Sequence, residues 1–176
     1  MVAKSLEFKD KKDKRPIKLF FQDEARFGRI DNVCSCWVPS GRRAKVGKQM
    51  IRQYTYAYTA VCPEAGESYS LTLPYANTLC MNLFMEGFSE EFHAYRIVMA
   101  MDKASWHTGE KTKKRENIVP LFQPSHSPEV NPVENLWHHI REKGGFKNRT
   151  FESLKDVEDT LAEQMNNYEA SLEEFF

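Results

Sequence analysis

Short apolar runs alternate with charged stretches along this chain, and two periodicities separate its elements. Ile17 to Gln22 places apolar residues at 17, 19 and 21 and reads as a buried strand. Cys34 to Pro39, Tyr54 to Cys62 and Ser68 to Leu73 carry alternating or β-rich residues between Gly and Pro, with a turn at Pro63-Glu-Ala-Gly66, and predict an antiparallel meander. Helical spacing then takes over: Asn77 is placed to cap a helix whose Leu79, Leu83, Phe84 and Phe88 recur at that spacing. A second buried strand is expected over Ile97 to Met101 and a shorter one over Ile118 to Phe122, with a polar, helix-compatible stretch at 111–116 before it. A Pro-rich loop leads into a helix from Pro132 to Lys143, stopped by Gly144-Gly145. The last helix follows Thr150, with Phe151, Leu154, Val157, Leu161 and Met165 on one side and acidic residues on the other.

Hairpin-linked strands followed by strands alternating with helices specify an α/β domain, a mixed sheet covered by helices. Residues 1–15 are charge-rich and aperiodic, so they read as a flexible lead-in, and the folded domain is expected over 16–176. At 176 residues and 41% hydrophobic, the chain can bury one sizeable core and is too short for two. Lys and Arg (25) balance Asp and Glu (25), so overall charge says nothing about nucleic acid and local clusters must decide. The apolar runs fall far below the roughly 18 residues that span a bilayer. The N-terminus lacks a signal pattern, and the expected location is the cytoplasm. Cys34-Ser-Cys36 has no second close pair for zinc, so the four cysteines read as reduced, small apolar or half-buried residues.

Three carboxylates carry the candidate chemistry. Asp23 follows the first buried run, Asp102 follows Arg96-Ile-Val-Met-Ala-Met101, and Glu134 stands near the start of the Pro132 helix. A carboxylate just past a buried strand escapes desolvation while the strand fixes its position, as a metal ligand requires. Each has a plainer explanation. Asp commonly starts a turn at a strand end, and Asp102 or Ser105 would cap an ordinary loop-to-helix junction. Asn131, Pro132 and Glu134 resemble a capping box, although Val133, Leu136, Trp137 and Ile140 define one apolar face that leaves Glu134 along its flank. His107 is placed to orient a carboxylate or a phosphate, or simply to satisfy a loop. Trp37 and Trp137 each lie beside a motif and are expected to be mainly structural.

Four segments together resemble the catalytic domain of mariner-superfamily transposases, in the bacterial insertion-sequence branch. They are Phe21-Gln-Asp-Glu-Ala-Arg-Phe-Gly28, Cys36-Trp-Val-Pro-Ser-Gly41, Met101-Asp-Lys-Ala-Ser-Trp-His107 and Pro124-Ser-His-Ser-Pro-Glu-Val-Asn-Pro-Val-Glu-Asn-Leu-Trp137. The resemblance runs from about Ile17 to the C-terminal helix, and its last segment is the most specific. It implies a ribonuclease H-like fold, a mixed β-sheet flanked by α-helices, and an acidic triad of Asp23, Asp102 and Glu134. It also implies DNA cleavage and strand transfer by a nucleoid-associated protein that acts on transposon ends and target DNA. Hard oxygen ligands suit Mg²⁺ or Mn²⁺, and two ions about 3.5–4 Å apart serve an in-line phosphodiester displacement.

Two positions depart from the family pattern. Lys103 stands where Asn is usual after the second Asp, and Ala44 where Pro often follows the Trp-x-x-x-Gly element. The Lys103 ammonium is placed either to compete with metal at Asp102 or to contact a DNA phosphate. Further DNA contacts are expected from Arg42, Arg43, Lys45, Lys48 and Arg52, and from Lys111, Lys113, Lys114 and Arg115, although such runs also serve as solvated surface; His107 is counted with them. Full-length relatives carry helix-turn-helix modules upstream, for which this chain has no room, so a fragment, a split-frame product or a remnant is expected. The partner is then a second copy or a transposase bearing that module. The competing readings are an inactive DNA-binding or transposase-pairing remnant and a stand-alone ribonuclease H-like nuclease.

Overall fold

The computed structural model describes residues 13–30, 34–108, 112–124 and 131–169. Five strands form one sheet: β1 Ile17–Ile30, β2 Met50–Cys62, β3 Glu67–Leu73, β4 Arg96–Met101 and β5 Ile118–Phe122, in the order β3-β2-β1-β4-β5. β1 pairs antiparallel with β2, and β2 with β3, while β1, β4 and β5 run parallel. The helices are α1 Thr78–Glu91, the single turn α2 Ser105–Thr108, α3 Val133–Lys143 and α4 Leu154–Glu169. The mixed sheet flanked by helices is the expected architecture. Among the described residues no helix is long and apolar enough to cross a membrane.

Strand alternation divides the core in two. Phe20, Tyr58, Ala60 and Cys62 point to one face and pack with Cys80, Met81, Phe84 and Phe88 of α1. Ala25, Phe27, Ala57 and Val61 point to the other and meet Val133, Leu136, Trp137 and Ile140 of α3 and Val157 and Leu161 of α4. Cys62 and Cys80 thus serve as small apolar residues, whereas Cys36 is exposed.

Several boundaries differ from the sequence reading. β1 does not stop at Gln22. Its hairpin with β2 continues the ladder from Phe21↔Val61 to Ile30↔Met50, so Asp23 lies inside a strand and pairs with Thr59. Residues 34–39 form no strand, because the Asn148 side chain satisfies Cys34: Cys34 N–H donates to Asn148 Oδ1 at 2.8 Å, and Asn148 Nδ2 donates to Cys34 O at 3.0 Å. Residues 112–115 are not helical; Lys113 N–H donates to Asn82 Oδ1 (2.9 Å) and Thr112 Oγ1 to Trp106 O (3.0 Å), contacts outside any helical ladder. Lys111, residues 1–12 of the lead-in and most of the Pro-rich loop (125–130) lie outside the described residues.

Asn77 caps α1 as expected, its Oδ1 accepting from Cys80 N–H at 2.9 Å. The buried face is rotated from the expected one, since Leu79 and Leu83 are exposed while Cys80, Met81 and Met85 are buried. α3 ends where Gly144 follows Ile140 so closely that a Cβ would meet the Ile140 carbonyl oxygen at 2.5 Å, and Gly145 adopts φ 78°.

Trp37 is not structural. It is fully exposed, on the segment whose ends are tied down by Asn148 and by Gln49, which donates to Phe151 O at 2.7 Å and accepts from Phe151 N–H at 3.0 Å. Trp37→Ala should therefore change stability by less than about 0.5 kcal/mol in urea denaturation. A larger loss would show that the indole is packed in solution.

Candidate active site

The parallel register between β1 and β4 ends at Phe21↔Ala100. Two residues farther along each strand stand Asp23 and Asp102, so the sheet brings them to one edge of the β1–β4 ladder. Asp23 is fixed by β2 on its other side, while Asp102 lies just beyond β4 and is exposed.

Glu134 reaches this edge because α3 is pinned to β1 at two points. Asn131 Nδ2 donates to Gln22 O at 3.3 Å, and its Oδ1 accepts from Val133 N–H at 3.2 Å. One turn into the helix, Trp137 Nε1 donates to Asp23 Oδ2 at 2.9 Å. The indole is buried against Phe27, with ring centroids 6.0 Å apart. Asn131 thus does the capping, and Glu134, in the first turn, is exposed.

The electrostatics follow from this packing. Burial pushes the Asp23 carboxyl up from the ordinary 3.8 to about 7, and the charge of Glu134 adds to the shift while the Trp137 N–H opposes it. No protein cation forms an ion pair with Asp23 among the described residues. Nor do any three His, Cys, Asp or Glu side chains among them converge closely enough to enclose an ion as they stand. The donor set still suits a hard divalent cation, being all carboxylate oxygen and, among the described residues, lacking a positive charge opposite the half-buried Asp23.

Asp102 has a separate support. Its Oδ1 accepts from Ala104 N–H at 2.9 Å and stands 2.7 Å from His107 Nδ1. His107 Nε2 lies 2.8 Å from Glu24 Oε1, which also accepts from Trp106 Nε1 at 3.3 Å. Burial alone would lower the imidazole pKa, but the hydrogen bond and charge of Glu24, aided by Asp102, hold it above its ordinary value. The His107 side chain, expected from the sequence among the DNA contacts, is 1% exposed and faces Glu24 and Asp102.

Arg42, Arg43, Lys45, Lys48, Arg52, Lys103, Lys113 and Lys114 are all exposed, and Arg115 is partly covered beside Glu86. Lys103 makes no ion pair with Asp102 among the described residues. Sequence reasoning passed over Glu24, and strand alternation was the available signal: next to Asp23 in a continued β1, its side chain must point to the opposite face.

Residues 18–158 match the model of the DDE superfamily endonuclease family. The uncharacterized protein y4pE/y4sA of Sinorhizobium fredii (strain NBRC 101917 / NGR234) is 38% identical over 106 residues, covering 59% of this chain and 77% of that protein. The transposable element Tcb2 transposase of Caenorhabditis briggsae is 32% identical over 69 residues, 35% of this chain and 25% of that one. Among solved structures, the Mos1 strand transfer complex superposes with a TM-score of 0.67 at 15% identity, covering 90% of this chain and 50% of that chain. The Mos1 mariner paired end complex with Mn gives a TM-score of 0.61 at 15% identity, over 90% and 53%. The chain thus spans about half the length of the Mos1 chains it matches and a quarter of the Tcb2 transposase. With four fifths of its length matched by that family model, the chain belongs to the DDE superfamily endonucleases, and the superposition on Mos1 agrees with a ribonuclease H-like fold.

Proposed function

We propose that this chain is the catalytic domain of a transposase that cleaves DNA and joins the cut strand to a target, using Asp23, Asp102 and Glu134 to hold two divalent ions, Mg²⁺ or Mn²⁺. The observation that carries the proposal is the double pin of α3 on β1, by Asn131 and Trp137, which sets Glu134 beside a half-buried Asp23 that has no cation to pair with among the described residues. A fold that needed only stability would gain nothing from this arrangement, since it leaves a carboxyl titrating near neutrality. Asp23, Asp102 and Glu134 would hold a divalent cation there, which would supply the missing charge and the Lewis acidity that phosphodiester displacement needs.

The chain's own groups supply position and protonation. Asp23 holds its proton until about pH 7 and surrenders it when positive charge arrives, while Trp137 keeps the ionised oxygen oriented. Asp102 has Oδ1 engaged and, among the described residues, no hydrogen bond on Oδ2. The exposed side chains of Arg42, Arg43, Lys45, Lys48, Lys113 and Lys114 would grip the DNA backbone, positioning it without reading its sequence. A second copy, or a transposase with a helix-turn-helix module, would supply the recognition of transposon ends.

Supercoiled plasmid nicking tests the proposal. Asp102→Ala should lower Mn²⁺-dependent nicking by at least on the order of 100-fold, the scale expected when several kcal/mol of charge stabilisation is lost. Nicking that persists in that variant would sink the assignment.

Lys103→Asn should raise cation affinity and nicking together, by a few-fold, because it removes an exposed positive charge one residue from Asp102. Calorimetry and nicking run in parallel check this. A variant with weaker metal binding would end the competition model, whereas loss of DNA affinity and cleavage together would make Lys103 a strand contact.

A further inference from the structure

Asp23 and Glu24 are neighbours on β1 whose side chains leave the sheet on opposite faces, and each ends at a different part of the site. Asp23 meets Trp137 of α3. Glu24 reaches the other way, into a pocket closed by Trp106 and His107 of α2, where its side chain is only 6% exposed. A buried carboxylate needs compensation, and Glu24 receives hydrogen bonds from two ring N–H groups of one short helical turn.

With its second nitrogen the same imidazole hydrogen-bonds the Asp102 carbonyl oxygen at 3.1 Å and lies 2.7 Å from Asp102 Oδ1. One ring nitrogen therefore faces the buried Glu24 carboxylate, and the other holds the backbone of Asp102 and adjoins its carboxylate, whose side chain is 59% exposed. The ring is fully enclosed, so it cannot turn without breaking both contacts. Asp102 lies beyond the end of β4, where the sheet no longer fixes its backbone on both sides, and it is held instead by Ala104 N–H on Oδ1 and by His107.

We propose that Glu24 is a positioning residue of this site, acting through His107 to hold Asp102 Oδ1 so that Oδ2 faces outward toward a divalent cation. The inference rests on the metal role proposed above for Asp102. It extends that role by a fourth carboxylate that touches neither metal nor substrate. Through Asp23 and Glu24, one strand then governs both aspartates, the first directly and the second through the imidazole. Outer partners of this kind commonly alter metal affinity by about 10- to 100-fold when removed.

The test is Mn²⁺ binding to the whole chain, followed by electron paramagnetic resonance, with circular dichroism to confirm folding. Glu24→Ala and His107→Phe should each weaken Mn²⁺ binding about tenfold or more. The double variant should be no weaker than the worse single one, because the two groups act in series. Glu24→Gln keeps a side chain that can hydrogen-bond Nε2 and should stay within about threefold of the unaltered chain. If Glu24→Ala does not fold, His107→Phe set against Glu24→Gln carries the same comparison. Normal Mn²⁺ affinity in Glu24→Ala or His107→Phe overturns the proposal, as do losses that multiply in the double variant or a loss in Glu24→Gln equal to that in Glu24→Ala. Asp102→Ala separates the two levels: if it too binds Mn²⁺ normally, the metal role of Asp102 fails and the positioning role falls with it. If only Asp102→Ala loses binding, the metal role stands and Glu24 is merely structural.

Discussion

Trp137→Ala should destabilise the domain by about 3–5 kcal/mol, the range for emptying a buried tryptophan site. The upper end is expected because two losses coincide. The indole fills the interface of α3 with β1 and β2 at 1% exposure, and its N–H is the donor that Asp23 Oδ2 receives from the helix. Removing it opens a cavity and leaves a half-buried carboxylate without that partner, which pushes the Asp23 carboxyl still higher. Trp137→Phe keeps most of the ring and loses only the donor, so its cost should fall to about 1.5–3 kcal/mol, the range for a hydrogen bond to a charged group. Urea denaturation at pH 8 without metal measures both. A loss below roughly 1 kcal/mol for Trp137→Ala would mean that the indole is a surface contact.

Asp23→Asn should stabilise the metal-free chain at pH 8 by roughly 2–4 kcal/mol, and the gain should vanish near pH 4. The sign follows from the proton count. The Asp23 carboxyl keeps its proton up to about pH 7 in the folded chain but only to about 3.8 when exposed. Between those values the folded state binds more protons, so raising the pH through this window removes stability, and above pH 7 the loss is complete. Asparagine has no proton to lose and can still accept from Trp137. Denaturation of both chains at pH 4, 6 and 8 isolates Asp23, because the other titrating groups cancel in the difference. Mn²⁺ should recover much of the lost stability in the unaltered chain at pH 8 and little in the variant. A difference that does not change with pH would show that the carboxyl is not shifted by burial and by Glu134.

Both predictions concern a site that was only partly legible in the sequence. The motif around Asn131-Pro-Val-Glu134 singled out the candidate glutamate, and the apolar face of α3 correctly made Trp137 the anchor of its helix. The indole hydrogen bond to Asp23 joins residues 114 positions apart, and no local pattern encodes it. His107 shows the same limit. A lone histidine in a loop is compatible with solvent, phosphate or carboxylate, and only the return of β1 beside α2 buried it against Glu24.

What the sequence determined by itself is the set of elements whose signal is local. Apolar alternation specified the central strands, Asn77 the start of α1, and Gly144-Gly145 the end of α3, because pleat, cap and close backbone approach are properties of a few adjacent residues. The tertiary structure alone decided matters that depend on a partner. Charged Asp23-Glu24 looked like the end of β1, yet pairing with β2 carried the strand on to Ile30, since a ladder supplied from outside outweighs weak local strand preference. On α1, periodicity showed an amphipathic helix but not which residues the sheet would cover, and Leu79 and Leu83 were left in solvent. Trp37 was left exposed because Asn148 and Gln49 hold the ends of its segment and nothing covers its middle among the described residues. A chain can encode its own periodicity in neighbouring residues; the neighbour that satisfies each face is fixed only when distant segments meet.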